Sequence, residues 1–135
     1  TAGGIGYVEL IYALSNKMTF ADMKNANGKM ITASLDSVKD ALATATVPDD
    51  YRFTFVNAPG DTAYPISGCT WLLVNQQLKD PVKGKATVDF IKWIYTNDTA
   101  KADAATLNYA PLPDSLVKRI LTTVDTIKTA TPAKM

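Results

Sequence analysis

Residues 63–75 read AYPISGCTWLLVN, the densest apolar, β-favouring run in the chain. Ile66, Thr70, Trp71, Leu72, Leu73 and Val74 lie between two turn-forming groups, Gly60-Asp61 before and Asn75-Gln76-Gln77 after. An apolar run so bounded predicts a buried strand. Pro65 has no amide hydrogen to give a ladder, so it belongs at the start or edge of that strand. Ser67-Gly68 interrupts the apolar pattern, and glycine within a strand marks a bulge or a bend. Two readings follow. In the plainer one this is a central strand with a bulge. In the other the chain changes direction at Ser67-Gly68 and crosses between two parts of the fold.

Outward from this run, strand and helix signals alternate. Ile5, Tyr7 and Val8 predict a short strand entered through Gly3, Gly4 and Gly6. These glycines do not form a nucleotide loop, because the order is turn then strand and no Lys-Ser/Thr pair follows. Leu10–Leu14 predicts one or two helical turns ending at Ser15-Asn16. The runs Lys17–Asn25 and Lys29–Thr32 flank Ala26-Asn27-Gly28, a hairpin signal. Ser34 has N-cap chemistry, Asp36 suits the positive end of a helix, and Leu35, Val38, Ala41, Leu42 and Ala45 share one helical face. That helix stops before Val47-Pro48. Phe53, Phe55 and Val56 predict another strand, followed by a loop at Ala58–Asp61.

Beyond the central run, Asp80 and Pro81 make a strong helix start. Val88, Ile91, Ile94 and Tyr95, widened by Phe90 and Trp93, predict a helix burying well over a third of its circumference. A short Ala-rich helix follows over Thr99–Thr106. Leu107–Pro113 is a proline-stiffened connection. Leu116, Val117, Ile120, Leu121, Val124 and Ile127 give a last amphipathic helix opened by Pro113, and Thr129–Met135 is expected to fray. The alternation argues an α/β fold, although only three or four strands are convincing.

Composition narrows function by exclusion. The 135 residues are 47% hydrophobic with a net charge of +1, which fits one globular domain and gives no electrostatic case for nucleic acid. No apolar run approaches a bilayer's thickness. The opening TAGGIGYVEL lacks the features of a signal peptide, so the protein is expected to be cytoplasmic or to begin after such a segment was removed. There is no histidine, which removes the commonest general base and metal ligand. The single cysteine, Cys69, forms no internal disulfide and is expected to be a buried structural thiol.

The chemical candidates are few. Ser67, Gly68 and Thr70 offer hydroxyls and amides to an anion, but serve equally as a bend. Asp49-Asp50 and Asp61 are too few oxygens for a hard cation. Arg52 and Arg119 are the only arginines; Arg119 is expected in a surface ion pair on the last helix, and Tyr7, Tyr64 and Tyr109 in amphipathic packing. No nucleophile–base pair assembles. No catalytic residue, metal or cofactor is implied, and an enzyme is not expected.

Four segments taken in order carry a resemblance: GGIGYVELIYAL (3–14), AYPISGCTWLLVNQQLKD (63–80), VDFIKWIYTN (88–97) and LNYAPLPDSLVKRI (107–120). Together they closely resemble the C-terminal part of periplasmic phosphate-binding proteins, the PstS-type substrate-binding subunits of phosphate ABC transporters. The resemblance implies a type II periplasmic-binding-protein (Venus-flytrap) fold with helix-flanked sheets joined by a hinge strand. It implies that residues 1–63 belong to the second lobe, 64–68 to a hinge crossing strand and 69–135 to the first lobe. Tyr64, Pro65, Ile66, Ser67 and Gly68 are then hinge residues, and the crossing reading of the central run is favoured.

The family's phosphate ligands lie upstream of the segments matched here, and Ser67-Gly68-Cys69 is not its Ser-Gly-Thr ligand turn. No ligand residue is therefore carried over. The implied function is phosphate binding for ABC-transporter uptake, with this chain supplying hinge and scaffold. The implied partners are inorganic phosphate in the full-length protein, the permease subunits, and the missing N-terminal portion or a second copy of this chain. The implied location is the periplasm or the outer cell surface. Two alternatives stand beside it: a fragment that dimerises through unpaired strand edges, or a module for another oxyanion or small solute.

Overall fold

A computed structural model describes residues 3–130. Its elements, in chain order, are α1 (Leu10–Ser15), β1 (Met23–Lys24), β2 (Met30–Ile31), α2 (Leu35–Ala43), β3 (Gln77–Leu78), α3 (Pro81–Thr96), α4 (Asp98–Thr106), α5 (Asp114–Val124) and β4 (Lys128–Thr129). They fall into two compact units. One comprises Thr1–Gly68 with Ala105–Ala110, and the other comprises Cys69–Ala104 with Pro111–Met135.

In the first unit, the Asn-Gly signal becomes the antiparallel β1–β2 hairpin, with Met23 opposite Ile31 and Lys24 opposite Met30. Gly28 has φ +77, a left-handed conformation in which a side chain would be strained. The helix α2 starts where its cap dictates. Ser34 Oγ accepts from the amide of Ser37 at 3.1 Å, and Ser37 Oγ accepts from the amide of Ser34 at 2.9 Å. Two amides that the helix itself cannot satisfy are thus satisfied reciprocally. The core is built of small side chains around one aromatic: Ala13, Ala41, Leu42, Phe55, Ala58 and Ala63 are buried.

In the second unit, Asp80 caps α3 by accepting from the amides of Val82 and Lys83 at 3.0 and 2.9 Å, with Pro81 in the first turn. The helix α3 packs against α5 and against the parallel β3–β4 pair, in which Gln77 faces Lys128 and Leu78 faces Thr129. Gly84 faces that pair. A Cβ there would lie 3.0 Å from both Leu78 Cβ and Thr129 Cγ2, tighter than ordinary Cβ contacts, so a larger residue fits only if these neighbours give way. Ile91, Leu116 and Val124 form the core. Lys92 Nζ also meets Asp125 Oδ1 at 2.6 Å, just past the end of α5.

Several expectations are corrected. The run Trp71–Val74 is neither buried nor a strand: Trp71, Leu72 and Leu73 are exposed, Leu73 by 95%, and only Gln77–Leu78 reaches a ladder. Ile5 and Tyr7 are exposed and carry no strand, and Phe53–Val56 forms none although Phe55 is buried. The physical reason is shared. A strand is stabilised by side chains on a neighbouring strand, and isolated ribbons are marginal. These runs have no such neighbour among the described residues. Among the described residues the sheets are two two-stranded ladders, so the α/β character holds as a mixture of helices and small sheets.

Three further corrections concern local detail. Tyr64–Gly68 is a bend at Pro65-Ile66, not a strand. The buried face of α3 is narrow, with Gly84 and Ile91 buried while Phe90 and Trp93 stack on each other in solvent, ring centroids 6.0 Å apart. Thr129 is part of β4 and does not fray, while residues 131–135 lie outside the described residues.

Candidate functional site

The expected hinge segment is held by its main chain. The Tyr64 amide donates to Ser37 O at 3.0 Å, and Pro65 O accepts from the Asn57 amide at 2.7 Å. Asn57 has φ +51, a conformation asparagine tolerates better than most residues. Ser67 is buried, and its hydroxyl donates back to Tyr64 O at 2.8 Å. Its proton is therefore spent on the bend and not offered outward. Pro65 is buried, Tyr64 half-buried, and Ile66 and Gly68 exposed.

What fixes the entry to this bend is a residue that sequence reasoning passed over. Asn25 is buried, and its Oδ1 accepts from the amides of Asn27 and Lys29 at 3.1 and 3.0 Å. Its Nδ2 faces the carbonyls of Gly60, Asp61 and Ala63 at 2.9, 3.2 and 3.3 Å. Asn27 Nδ2 adds a bond to Asp61 Oδ1 at 2.8 Å. The hairpin loop is thereby tied to the segment leading into Tyr64. The available signal was an asparagine two residues before Asn27-Gly28, since asparagine side chains commonly bond to main chain two residues on.

The other candidates do not assemble. Asp61 is engaged by Asn27, and Asp50 Oδ1 accepts from the Arg52 amide at 3.0 Å. The Asp50–Arg52 ion pair spans 4.0 Å between exposed side chains, and so contributes little. Thr70, Tyr7 and Tyr109 are exposed, and Arg119 is half-buried on α5. Cys69 is half-buried, not buried as expected, and desolvation pushes its thiol above the usual range. Tyr95 is raised by burial first and by the Cys69 charge second. A thiol disfavoured as thiolate is a poor nucleophile. No group of three or more Cys, Asp or Glu that could hold a metal occurs among the described residues.

An anion site could instead use a helix N-terminus, where free amides and the helix dipole attract negative charge. At α2, α3 and α4 those positions are occupied, whereas α1 and α5 have no side-chain cap. Ser34 caps α2, the Asp80 carboxylate caps α3, and Asn97 Oδ1 accepts from the amides of Thr99 and Ala100 at α4. Asp114 places a carboxylate in the first turn of α5. An open groove of about 280 Å³ beside α2 is lined by Met30, Ile31, Ser34 and Ser37, but also by Asp36 and Asp40. A phosphate entering it would meet two like charges.

No protein-family model matches the chain. Relatives among curated proteins do. The chain is 41% identical over 120 residues to the phosphate-binding protein PstS of Xylella fastidiosa strain 9a5c, covering 87% of this chain and 32% of that protein. It is 34% identical over 136 residues to PstS of Methanocaldococcus jannaschii, covering 92% and 35% respectively. With PstS of Pasteurella multocida the identity is 30% over 118 residues, covering 86% and 34%. The chain thus spans about a third of the length of these relatives. Over nearly nine tenths of its own length, it is a relative of the PstS-type phosphate-binding proteins.

Proposed function

We propose that this chain is the hinge-and-scaffold part of a phosphate-binding protein that serves ABC-transporter uptake, working in the periplasm or at the outer cell surface with permease subunits as partners. The observation that carries the proposal is the 41% identity to a phosphate-binding protein over 87% of the chain. Capture in this reading is recognition without chemistry. Charge-assisted hydrogen bonds in a closed, water-poor cleft hold the anion, and closure about a hinge seals it.

The finer architecture proposed is the type II periplasmic-binding-protein fold. Residues 1–63 contribute to one lobe, Tyr64–Gly68 to the hinge, and 69–135 to the other lobe. Two features support this assignment. The chain passes from one compact unit to the other at Gly68–Cys69, directly after the proposed hinge segment, and again at Ala110–Pro111. The N-termini of α2, α3 and α4 are capped by side chains of this chain, which fits a portion that supplies no phosphate ligand there.

Two experiments test it. Calorimetric titration of the chain with inorganic phosphate should give no saturable heat, and tight saturable binding would overturn the assignment of ligands elsewhere. Replacing the matched third of Xylella fastidiosa PstS by this chain should preserve phosphate binding. A folded chimera that no longer binds phosphate would sink the hinge-and-scaffold role.

A second reading, self-association in which apolar runs that form no strand here pair between copies, is favoured by the exposure of Ile5, Tyr7 and Leu73. It requires a mass in solution that grows with concentration and falls back in Leu73→Lys. A monomer at every concentration would exclude it.

A further inference from the structure

We propose that Asn27 is a self-deamidation site, and that its conversion to an acid releases the hairpin loop from the Asp61 segment. Seven asparagines occur in the chain, and Asn27 alone is followed by glycine. That neighbour decides the chemistry, because the attacking atom is the amide nitrogen of the next residue and a side chain there shields it. Asn27 is exposed. Around Gly28 the loop is open, with only the flexible end of Lys24 within 4 Å of where a Cβ would stand. Asn25, two residues away, supplies the internal contrast: it is buried and followed by Ala26.

The step needs only water. Hydroxide removes the Gly28 amide proton, and the nitrogen attacks Asn27 Cγ. The new C–N bond closes a five-membered imide while the Cγ–Nδ2 bond breaks, and Nδ2 leaves as ammonia after taking a proton from water. Water then opens the ring at either carbonyl, leaving aspartate or isoaspartate at position 27. The Gly28 amide donates to Asn25 O at 2.9 Å in the folded loop. That bond must open first, so only the open fraction of the loop reacts.

The consequence follows from the partner. Asn27 Nδ2 donates to Asp61 Oδ1 at 2.8 Å. After conversion the donor is gone and two carboxylates face each other, an arrangement in which one carboxyl resists ionisation. The repulsion falls beside the bonds from Asn25 to Gly60, Asp61 and Ala63. Conversion at one exposed side chain therefore strains the tie that orders the segment entering Tyr64.

The test is peptide mapping by mass spectrometry after incubation of the purified chain at mildly alkaline pH. Conversion is expected at Asn27 ahead of every other asparagine and is expected to vanish from that peptide in Asn27→Gln. Conversion spread evenly over the asparagines, or absent at Asn27, would overturn the site. Asn27→Asp, made directly, isolates the consequence. Its amides at 25–29 and at Tyr64 should exchange hydrogen roughly fivefold faster than in the unmodified chain at neutral pH, a change of the size that about 1 kcal/mol produces, and the ratio should return towards one on acidification. Unchanged exchange at both pH values would overturn the release.

Discussion

Asn25 Nδ2 donates to the carbonyl of Gly60 at 2.9 Å, joining positions thirty-five residues apart in the chain. With its bonds to the hairpin amides, this buried carboxamide satisfies main-chain groups of two loops at once. Removing it takes the donor from three carbonyls, of which that of Ala63 is buried. Asn25→Ala should cost roughly 1–3 kcal/mol, read as a lower urea midpoint. Asn25→Asp should cost more at neutral pH, because a carboxylate accepts only and would face three carbonyls. Protonation restores a donor, so the folded-state pKa of that new group is raised. Its stability contribution is present in acid and lost as pH rises. Equal midpoints for Asn25→Asp in acid and at neutrality would refute this account.

The cap of α2 makes a graded prediction. Ser34→Ala removes an acceptor from the Ser37 amide and should cost about 1 kcal/mol, whereas Ser34→Gly should cost only a few tenths. Ser37→Ala should exceed Ser34→Gly, because the buried Ser37 hydroxyl also donates to Thr32 O at 3.0 Å. Thermal melts of the three variants give the order.

Gly84 separates propensity from packing. In an exposed helix, Gly→Ala would stabilise by about 1 kcal/mol. Here the added Cβ would meet Leu78 Cβ and Thr129 Cγ2, both at 3.0 Å, and overpacking costs roughly 1–3 kcal/mol. Gly84→Ala should therefore destabilise on balance. Adding Thr129→Ser, which deletes Cγ2, should recover part of the loss. A more stable Gly84→Ala would show that β3–β4 yields freely to α3.

The second unit should weaken at alkaline pH. Cys69 and Tyr95 both have folded-state pKa values raised, chiefly by desolvation. The folded state keeps these protons more tightly than the unfolded state, so their contribution is whole below the ordinary thiol value of 9.0. It is lost as pH rises through the raised values. Cys69→Ser should flatten the alkaline arm of a stability–pH curve, and Cys69 should alkylate more slowly in the folded chain than after unfolding. A curve unchanged by Cys69→Ser would show that Cys69 does not set that arm.

Helix starts were legible because they are local. Ser34, Asp80 with Pro81, and Pro113 with Asp114 each act within one turn, and the helices begin beside them. The Asn27-Gly28 hairpin is legible for the same reason. Trp71–Val74 was not legible: its side chains favour a strand, but a strand forms only when a neighbour lies alongside. Leu73, read as core, stands 95% exposed. Asn25 was missed because its partners at Gly60–Ala63 are distant in sequence.

The sequence by itself therefore determined where the helices start, the hairpin turn and the kinship with phosphate-binding proteins, while α2 and α5 end before Ala45 and Ile127, which the apolar pattern places on their faces. The absence of histidine also bounded its chemistry. Only the tertiary structure decided which apolar runs are buried, that Tyr64–Gly68 is a bend held by Ser37 and Asn57, and that Gly84 packs closely against Leu78 and Thr129. The physical reason is range. Caps and turns are settled by bonds within a few residues, whereas burial and strand pairing depend on what the rest of the chain brings alongside.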